Sequence, residues 1–269
     1  MPHSIAIDGP VGAGKSTVAK GVANDLGFLY LDTGAMYRAL GFKALRAGCD
    51  LRDGHAIAWV AGHTEVSVRF AQGTQRTLLD GEDVTEQLRT PEAGNAASAV
   101  AKWPVVRALM VRAQREIAAD TDMVLDGRDI GTNVLPNATL KIFLTAHAGV
   151  RARRRFDELI GAGTDVTYER VLADLLARDE QDVNRAVDPL RPAVDAVLVD
   201  ATDMGIDQVV GHIVGLYRER VGCGHDPFDD PVVRERIMQD LERRSARAKE
   251  PNAKNYTTEE IRQKLGLDQ

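Results

Sequence analysis

Cysteine is nearly absent. Cys49 and Cys223 are the only two in the chain, far apart and without a C-x-x-C partner, which excludes a disulfide scaffold and offers no zinc site. No apolar run approaches the ~18 residues that a membrane-spanning helix needs. Residues 1–4 lead directly into an apolar segment, so we expect a cytoplasmic protein with no membrane contact. A surplus of basic charge is also missing. The formal net charge of −6 argues against a general nucleic-acid binder, which needs exposed Lys and Arg in excess. Any anion site must therefore be local. No H-E-x-x-H, G-x-S-x-G or N-K-x-D pattern and no internal repeat occurs, which removes zinc-protease, serine-hydrolase and guanine-binding signatures. Trp59 and Trp103 read as packing residues.

What remains is a chain of 269 residues with 44% hydrophobic content, enough for one large domain with appendages. Short apolar runs at 5–7, 28–31, 123–125, 140–144 and 196–199 alternate with longer helical patterns. That rhythm predicts parallel strands joined by crossover helices, an α/β nucleotide fold. Several runs end at a carboxylate, Asp8, Asp32, Asp126 and Asp200, so polar groups gather where such sheets bind ligands.

Directly after the first run, Gly9-Pro10-Val11-Gly12-Ala13-Gly14-Lys15-Ser16 fits G-x-x-x-x-G-K-[ST], and Thr17 opens a helical pattern. A glycine-rich turn could match by chance, but the strand before it and the helix after it are the context that identifies a phosphate loop. Glycines let successive backbone N–H groups face one anion, the helix aims its positive end there, and Lys15 adds a full charge. Ser16 supplies a hydroxyl for Mg²⁺, with Asp8 or Asp126 placed to hold the ion's waters. For Asp126 a structural salt bridge to a neighbouring arginine is the competing reading.

Over residues 65–88 the apolar period changes to two, and Gln72-Gly73 and Asp80-Gly81 supply turns, which predicts a small antiparallel insertion. Thr90 followed by Pro91 caps a helix running to Ala101, and Pro104 opens another to about Ala119. Residues 148–161 form a helix carrying Arg151, Arg153, Arg154 and Arg155, followed by Gly161-Ala162-Gly163 and a helix from about Thr167 to Arg178. A run of arginines is usually a solvated face, yet this one lies beside a glycine-containing connector downstream of a phosphate loop, which suits a closing lid. Residues 222–269 hold nine Lys/Arg and ten Asp/Glu and read as exposed, partly helical extension.

A phosphate loop alone leaves ATPases, GTPases and small-molecule kinases open. The second run leads into Asp32-Thr33-Gly34-Ala35-Met36-Tyr37-Arg38, and the third into Asp126-Gly127-Arg128-Asp129-Ile130-Gly131-Thr132. A hydroxyl and arginines gathered near the loop suit a second phosphate, and charges so crowded must serve one another or a ligand. A kinase of a small acceptor, such as a nucleotide or shikimate, and a non-catalytic nucleotide-binding module both remain possible at this point.

Five segments in order carry a resemblance: I-D-G-P-V-G-A-G-K-S-T from Ile7, L-D-T-G-A-M-Y-R from Leu31, N-A-A-S from Asn95, D-G-R-D-I-G-T from Asp126 and R-D-x-x-D-x-N-R-A from Arg178. Over residues 4–221 the chain resembles the bacterial cytidylate kinase family. The resemblance implies a five-stranded parallel core spanning 1–221, an acceptor-binding insertion at 62–102 and a short lid at 150–166. It implies ATP-dependent phosphorylation of CMP and dCMP, with Mg²⁺; we expect a monomer with no nucleic-acid or membrane partner. It leaves the extension without an assigned partner. Carried over by motif, Ser98, Arg107 and Asp129 read cytosine, Arg178 and Asp182 hold the ribose, and Arg38, Arg128 and Arg185 clamp the CMP phosphate. Thr33, expected with Arg38 among the substrate-binding residues, stands where many relatives carry Ser and keeps the hydroxyl. Lys15, Arg128, Arg185 and the lid's Arg154 are the expected catalytic cations.

Overall fold

The computed structural model describes residues 2–161 and 163–222. Five parallel strands form the central sheet: β1 (Ser4–Asp8), β2 (Leu29–Asp32), β6 (Met123–Gly127), β7 (Leu140–Thr145) and β8 (Val197–Asp200), in the order β2-β6-β1-β7-β8. These are the five apolar runs of the sequence. Alternation along each strand sorts side chains to two faces. Ala6, Leu31, Met123 and Leu125 join one core cluster, while Ile5, Ile7, Tyr30, Val124, Leu140 and Ile142 join another. Both faces are covered, so the strands read as continuous apolar runs rather than alternating ones.

On the second face lie α1 (Lys15–Leu26) and α8 (Ile206–Arg220). The first face carries α2 (Thr33–Arg46), α3 (Gly54–Gly62), α4 (Pro91–Val100) and α5 (Pro104–Ile117). Thr90 caps α4 as its sequence predicts, accepting from Ala93 N at 3.2 Å ahead of Pro91, and Asp32, not anticipated as a cap, accepts from Ala35 N at 2.9 Å at the start of α2. The antiparallel insertion is β3 (Val66–Ala71), β4 (Thr74–Leu79) and β5 (Glu82–Asp83), with turns whose left-handed residues include Gln72 and Gly73. Neither α3 nor α8 was expected. Residues 130–134 form a single π-type turn, a second feature without a local sequence pattern. Helices α6 (Ala148–Gly161) and α7 (Tyr168–Val183) complete the order, α7 extending past the expected end at Arg178. The expectations for the extension lie outside the described residues, save Gly222.

Because β1 is central, with β6 on one side and β7 on the other, its C-terminal end opens onto the point where the chain departs in both directions. Open α/β sheets bind ligands at such a crevice. The edge of β2 is closed by a side chain. Gln75 of β4 accepts from the Asp32 backbone N–H at 2.7 Å and donates to the Asp32 carbonyl at 3.2 Å, standing in for a missing strand. We expect Gln75→Leu to cost about 1–3 kcal/mol in urea unfolding, because the Asp32 peptide loses its partners. A loss below about 0.3 kcal/mol would mean that packing alone holds the insertion against β2.

Candidate active site

Gly9 leaves β1 with φ 151°, and a Cβ there would lie 2.0 Å from the Leu144 carbonyl oxygen of β7. Only glycine fits so close a backbone approach. Gly14, at φ 88°, then turns the chain into α1. Lys15 is buried, its Nζ donating to the Pro10 carbonyl at 2.7 Å across the loop. Burial, and next the nearby Arg128 charge, lower its pKa to about 7 against the pull of Asp126, Asp182 and Asp8. A lysine so placed favours an incoming anion, which would restore the stability of its charge.

The two carboxylates considered for the metal separate into different jobs. Asp8 accepts from the backbone N–H groups of Ile130 and Gly131 at 2.8 and 2.7 Å, so it fixes the segment after β6 to β1. Burial raises its pKa to about 6 despite those two donors. Asp126 instead accepts the Ser16 hydroxyl at 2.8 Å on one oxygen and the Tyr30 hydroxyl at 2.8 Å on the other. It takes hydroxyls rather than the arginine of the competing reading. Burial raises its pKa, with Asp32 adding to the effect and Lys15 opposing it. The donor set of a Ser16 hydroxyl backed by a carboxylate is hard oxygen, as Mg²⁺ requires, and a phosphate-loop metal needs few protein ligands because phosphates and water supply the rest.

Facing the loop is a group of arginines. Arg128 Nε binds Asp182 Oδ2 at 2.7 Å, and Arg38 Nη2 binds Asp32 Oδ2 at 2.7 Å. Arg178 stands close to both. Burial, then the charges of Arg128, Arg38 and Arg155, push its guanidinium below the usual range, with Asp182 opposing. Its Nε is buried without a hydrogen-bond partner. An orphaned buried donor costs about 1–3 kcal/mol, a cost that an arriving acceptor removes.

Beside this group lies a second. Arg107 of α5, 3% exposed, reaches Asp188 Oδ2 at 2.5 Å and Asp129 Oδ2, and lies over the Tyr37 ring at 5.8 Å. Asp129 Oδ1 faces Arg185 Nη2 at 3.7 Å. Arg185 also donates to the carbonyls of Val187 and Asp188, and burial followed by the Arg107 charge lowers its pKa. Arg185 thus stands with Arg107 and Asp129 rather than directly beside Arg38. Ser98 Oγ donates to Gly94 O at 3.3 Å within α4, and Thr33 Oγ1 donates to the Asp126 carbonyl at 2.7 Å, which pins the start of α2 to β6.

The arginines of α6 differ from one another. Arg151 is buried and donates to the carbonyls of Ala146 and Val11, both at 2.8 Å, while pairing with Asp179 at 2.7 Å. It staples the phosphate loop to α6 and α7, a structural part that a lid reading of the run does not anticipate. Arg153 lies over the Tyr168 ring at 4.7 Å. Arg154 donates to the Ala201 carbonyl beyond β8 at 2.9 Å, away from the Arg38 and Arg128 pairs. The exposed Arg155 is the member whose charge reaches Arg178.

Tyr30, Gln75 and Asp188 were missed by sequence reasoning. A tyrosine inside an apolar strand run is itself a signal, since its buried hydroxyl needs a partner. Gln75 and Asp188 carry no local signal, because their partners lie 43 and 81 residues away.

A phosphate loop at the centre of a parallel sheet, with a set of paired arginines gathered at the same end of the sheet, makes this a P-loop kinase. The cytidylate kinase family model matches residues 5–219, and the chain belongs to that family. The cytidylate kinase of Desulforamulus reducens is 53% identical over 210 residues, covering 78% of this chain and 94% of that protein. Those of Desulfitobacterium hafniense strain Y51 and Caldicellulosiruptor bescii are 49% and 47% identical, covering 82% and 80% of this chain and 95% of each relative. The chain is accordingly a nucleoside monophosphate kinase, a transferase. No helix among the described residues is long and apolar enough to cross a membrane.

Proposed function

We propose that this enzyme transfers the γ-phosphoryl group of ATP to CMP and dCMP, with the roles divided among the residues just described. The buried Arg178 Nε without a partner, set among Arg38, Arg128 and Arg155, is the observation that carries the assignment. It marks a place prepared for an acceptor atom. ATP binds along Gly9 to Thr17. The CMP phosphate lies between Arg38 and Arg128, each able to present two parallel N–H groups to phosphate oxygens. Arg185 completes this clamp from the side of Asp129. Arg178 and Asp182 take the ribose, and Ser98, Arg107 and Asp129 read the base, whose exocyclic amine needs a carboxylate acceptor. Thr33 keeps α2, and with it Arg38, in register with β6.

The attacking oxygen belongs to the CMP phosphate and is anionic near neutral pH, so no side chain has to remove a proton. Repulsion between two polyanions is the obstacle, and transition-state charge is spread over the transferring group. Lys15, Arg128 and Arg185 offset that charge from fixed positions. Ser16 would hold Mg²⁺, which when bound neutralises charge on the donor phosphates. Residues 150–166 act as the lid over ATP, excluding water, and Arg154 would exchange the Ala201 carbonyl for the nucleotide on closure. Residues 62–102 serve as the acceptor-binding insertion within a catalytic domain of residues 1–221. Residues 222–269 are an extension without an assigned partner. We place the enzyme in the cytoplasm, working as a monomer.

A coupled ADP-release assay with a nucleoside monophosphate panel tests this reading. Turnover with CMP and dCMP well above that with UMP, AMP and GMP is expected. ATP consumption dependent on none of the cytidine acceptors would refute it.

A further inference from the structure

The hydroxyl that would meet the metal is not held by the phosphate loop alone. Ser16 donates to one oxygen of Asp126, and the other oxygen of Asp126 receives the Tyr30 hydroxyl, both at 2.8 Å. Three elements thus meet: α1 supplies Ser16, β6 supplies Asp126, and β2 supplies Tyr30. Asp126 and Tyr30 are 5% and 8% exposed. The terminal torsion of an aspartate is broad and nearly two-fold, so a carboxylate held at one oxygen alone can turn and offer the other in a different direction. A donor on the second oxygen removes that freedom.

We propose that Tyr30 is a positioning residue for the metal-bound nucleotide, acting through Asp126 on Ser16. With its proton directed to Asp126, Ser16 Oγ keeps its lone pairs for a cation, which is the orientation a metal ligand needs. Backbone geometry makes the arrangement possible. β2 and β6 pair in register, with Tyr30 opposite Val124 and Asp32 opposite Asp126, so the tyrosine side chain extends along the sheet toward the carboxylate from two residues upstream. The ring is fixed in turn, packed in the core shared by α1 and α8 with Lys20 Nζ 5.6 Å from its centroid. Tyr30 therefore carries the position of the edge strand to the loop, and Gln75 fixes the end of that same strand through Asp32. Partners that orient a ligand from behind typically contribute 10–100-fold in metal affinity.

The inference rests on Ser16 as the metal ligand, and the test separates the two. Mn²⁺ binding to the full-length enzyme with ADP would be measured by electron paramagnetic resonance for wild type, Tyr30→Phe, Tyr30→Leu and Ser16→Ala. Tyr30→Phe keeps the ring and is expected to weaken Mn²⁺ binding roughly 10-fold, with ADP affinity in EDTA and CMP affinity unchanged. Tyr30→Leu should melt at lower temperature yet lose no more metal affinity than Tyr30→Phe, since packing and positioning are separate contributions. Wild-type Mn²⁺ binding by Tyr30→Phe, or equal weakening of ADP with and without metal, would overturn the positioning role. Wild-type Mn²⁺ binding by Ser16→Ala would overturn the ligand assignment and the inference with it.

Discussion

Lys15→Met is expected to reduce turnover with CMP by at least roughly 100-fold, the scale seen when one charge partner of a transition state is removed, without loss of fold. The melting temperature should stay level or rise. Lys15 is buried, and burial together with Arg128 lowers its pKa to about 7. Its charge is thus a strain on the nucleotide-free enzyme, and methionine of similar length fills the space without that charge. The pH dependence has a definite sign. A lysine titrating near 10.5 when unfolded and about 7 when folded lowers stability in full below pH about 7, and the penalty fades as pH rises toward the unfolded value. The variant's advantage in melting temperature should therefore be largest near pH 6 and shrink by pH 9. A turnover loss below about tenfold would exclude Lys15 from phosphoryl transfer, and a large drop in melting temperature would contradict the burial argument.

The phosphate loop and the five strands were legible in the sequence because their signals are local. A strand of the inner sheet must be apolar on both faces, and a loop that wraps phosphate must have glycine at fixed spacings. Gly9 shows how strict the second requirement is, since its Cβ would collide with the Leu144 carbonyl. Residues whose meaning depends on distant partners were less legible. Arg151 and Arg154 are nearly adjacent in a run that reads as a single basic face, yet one is buried against Val11 and the other reaches Ala201. Three residues apart, the two lie on the same side of the helix, so helical position does not separate them, and their partners, the Val11 carbonyl in the loop and the Ala201 carbonyl beyond β8, decide which is which. Asp8 and Asp126 end adjacent strands in matching sequence contexts, but Asp8 meets backbone donors and Asp126 meets hydroxyls. The composition of a strand end identifies a carboxylate near the site, while its partner comes from the sheet order.

Asp129→Ala is expected to lower kcat/KM for CMP by roughly 100-fold, on the scale of breaking a desolvated charged contact, while the KM for ATP changes by less than about twofold. Two effects coincide at this residue. Asp129 Oδ2 holds Arg107, which is 3% exposed, and removing one partner of a buried pair costs about 3–5 kcal/mol because a charge is left behind. Asp188 remains on the other side of Arg107 at 2.5 Å, so the guanidinium keeps one partner and the domain should still fold. The melting temperature should nevertheless fall by roughly 6–20 °C. Asp129→Asn separates base reading from stability. Its amide keeps an acceptor at only one of the two positions the carboxylate serves, so with that oxygen on Arg107 the variant should melt above Asp129→Ala and still lose most CMP turnover. Discrimination should relax as well, because an amide can donate as well as accept, and UMP presents an oxygen where CMP presents an amine. The decisive quantity is the ratio of kcat/KM for CMP to that for UMP, measured at saturating ATP. Loss of ATP and CMP binding in equal measure, with that ratio unchanged in Asp129→Asn, would remove Asp129 from base recognition and leave it only as the partner of Arg107.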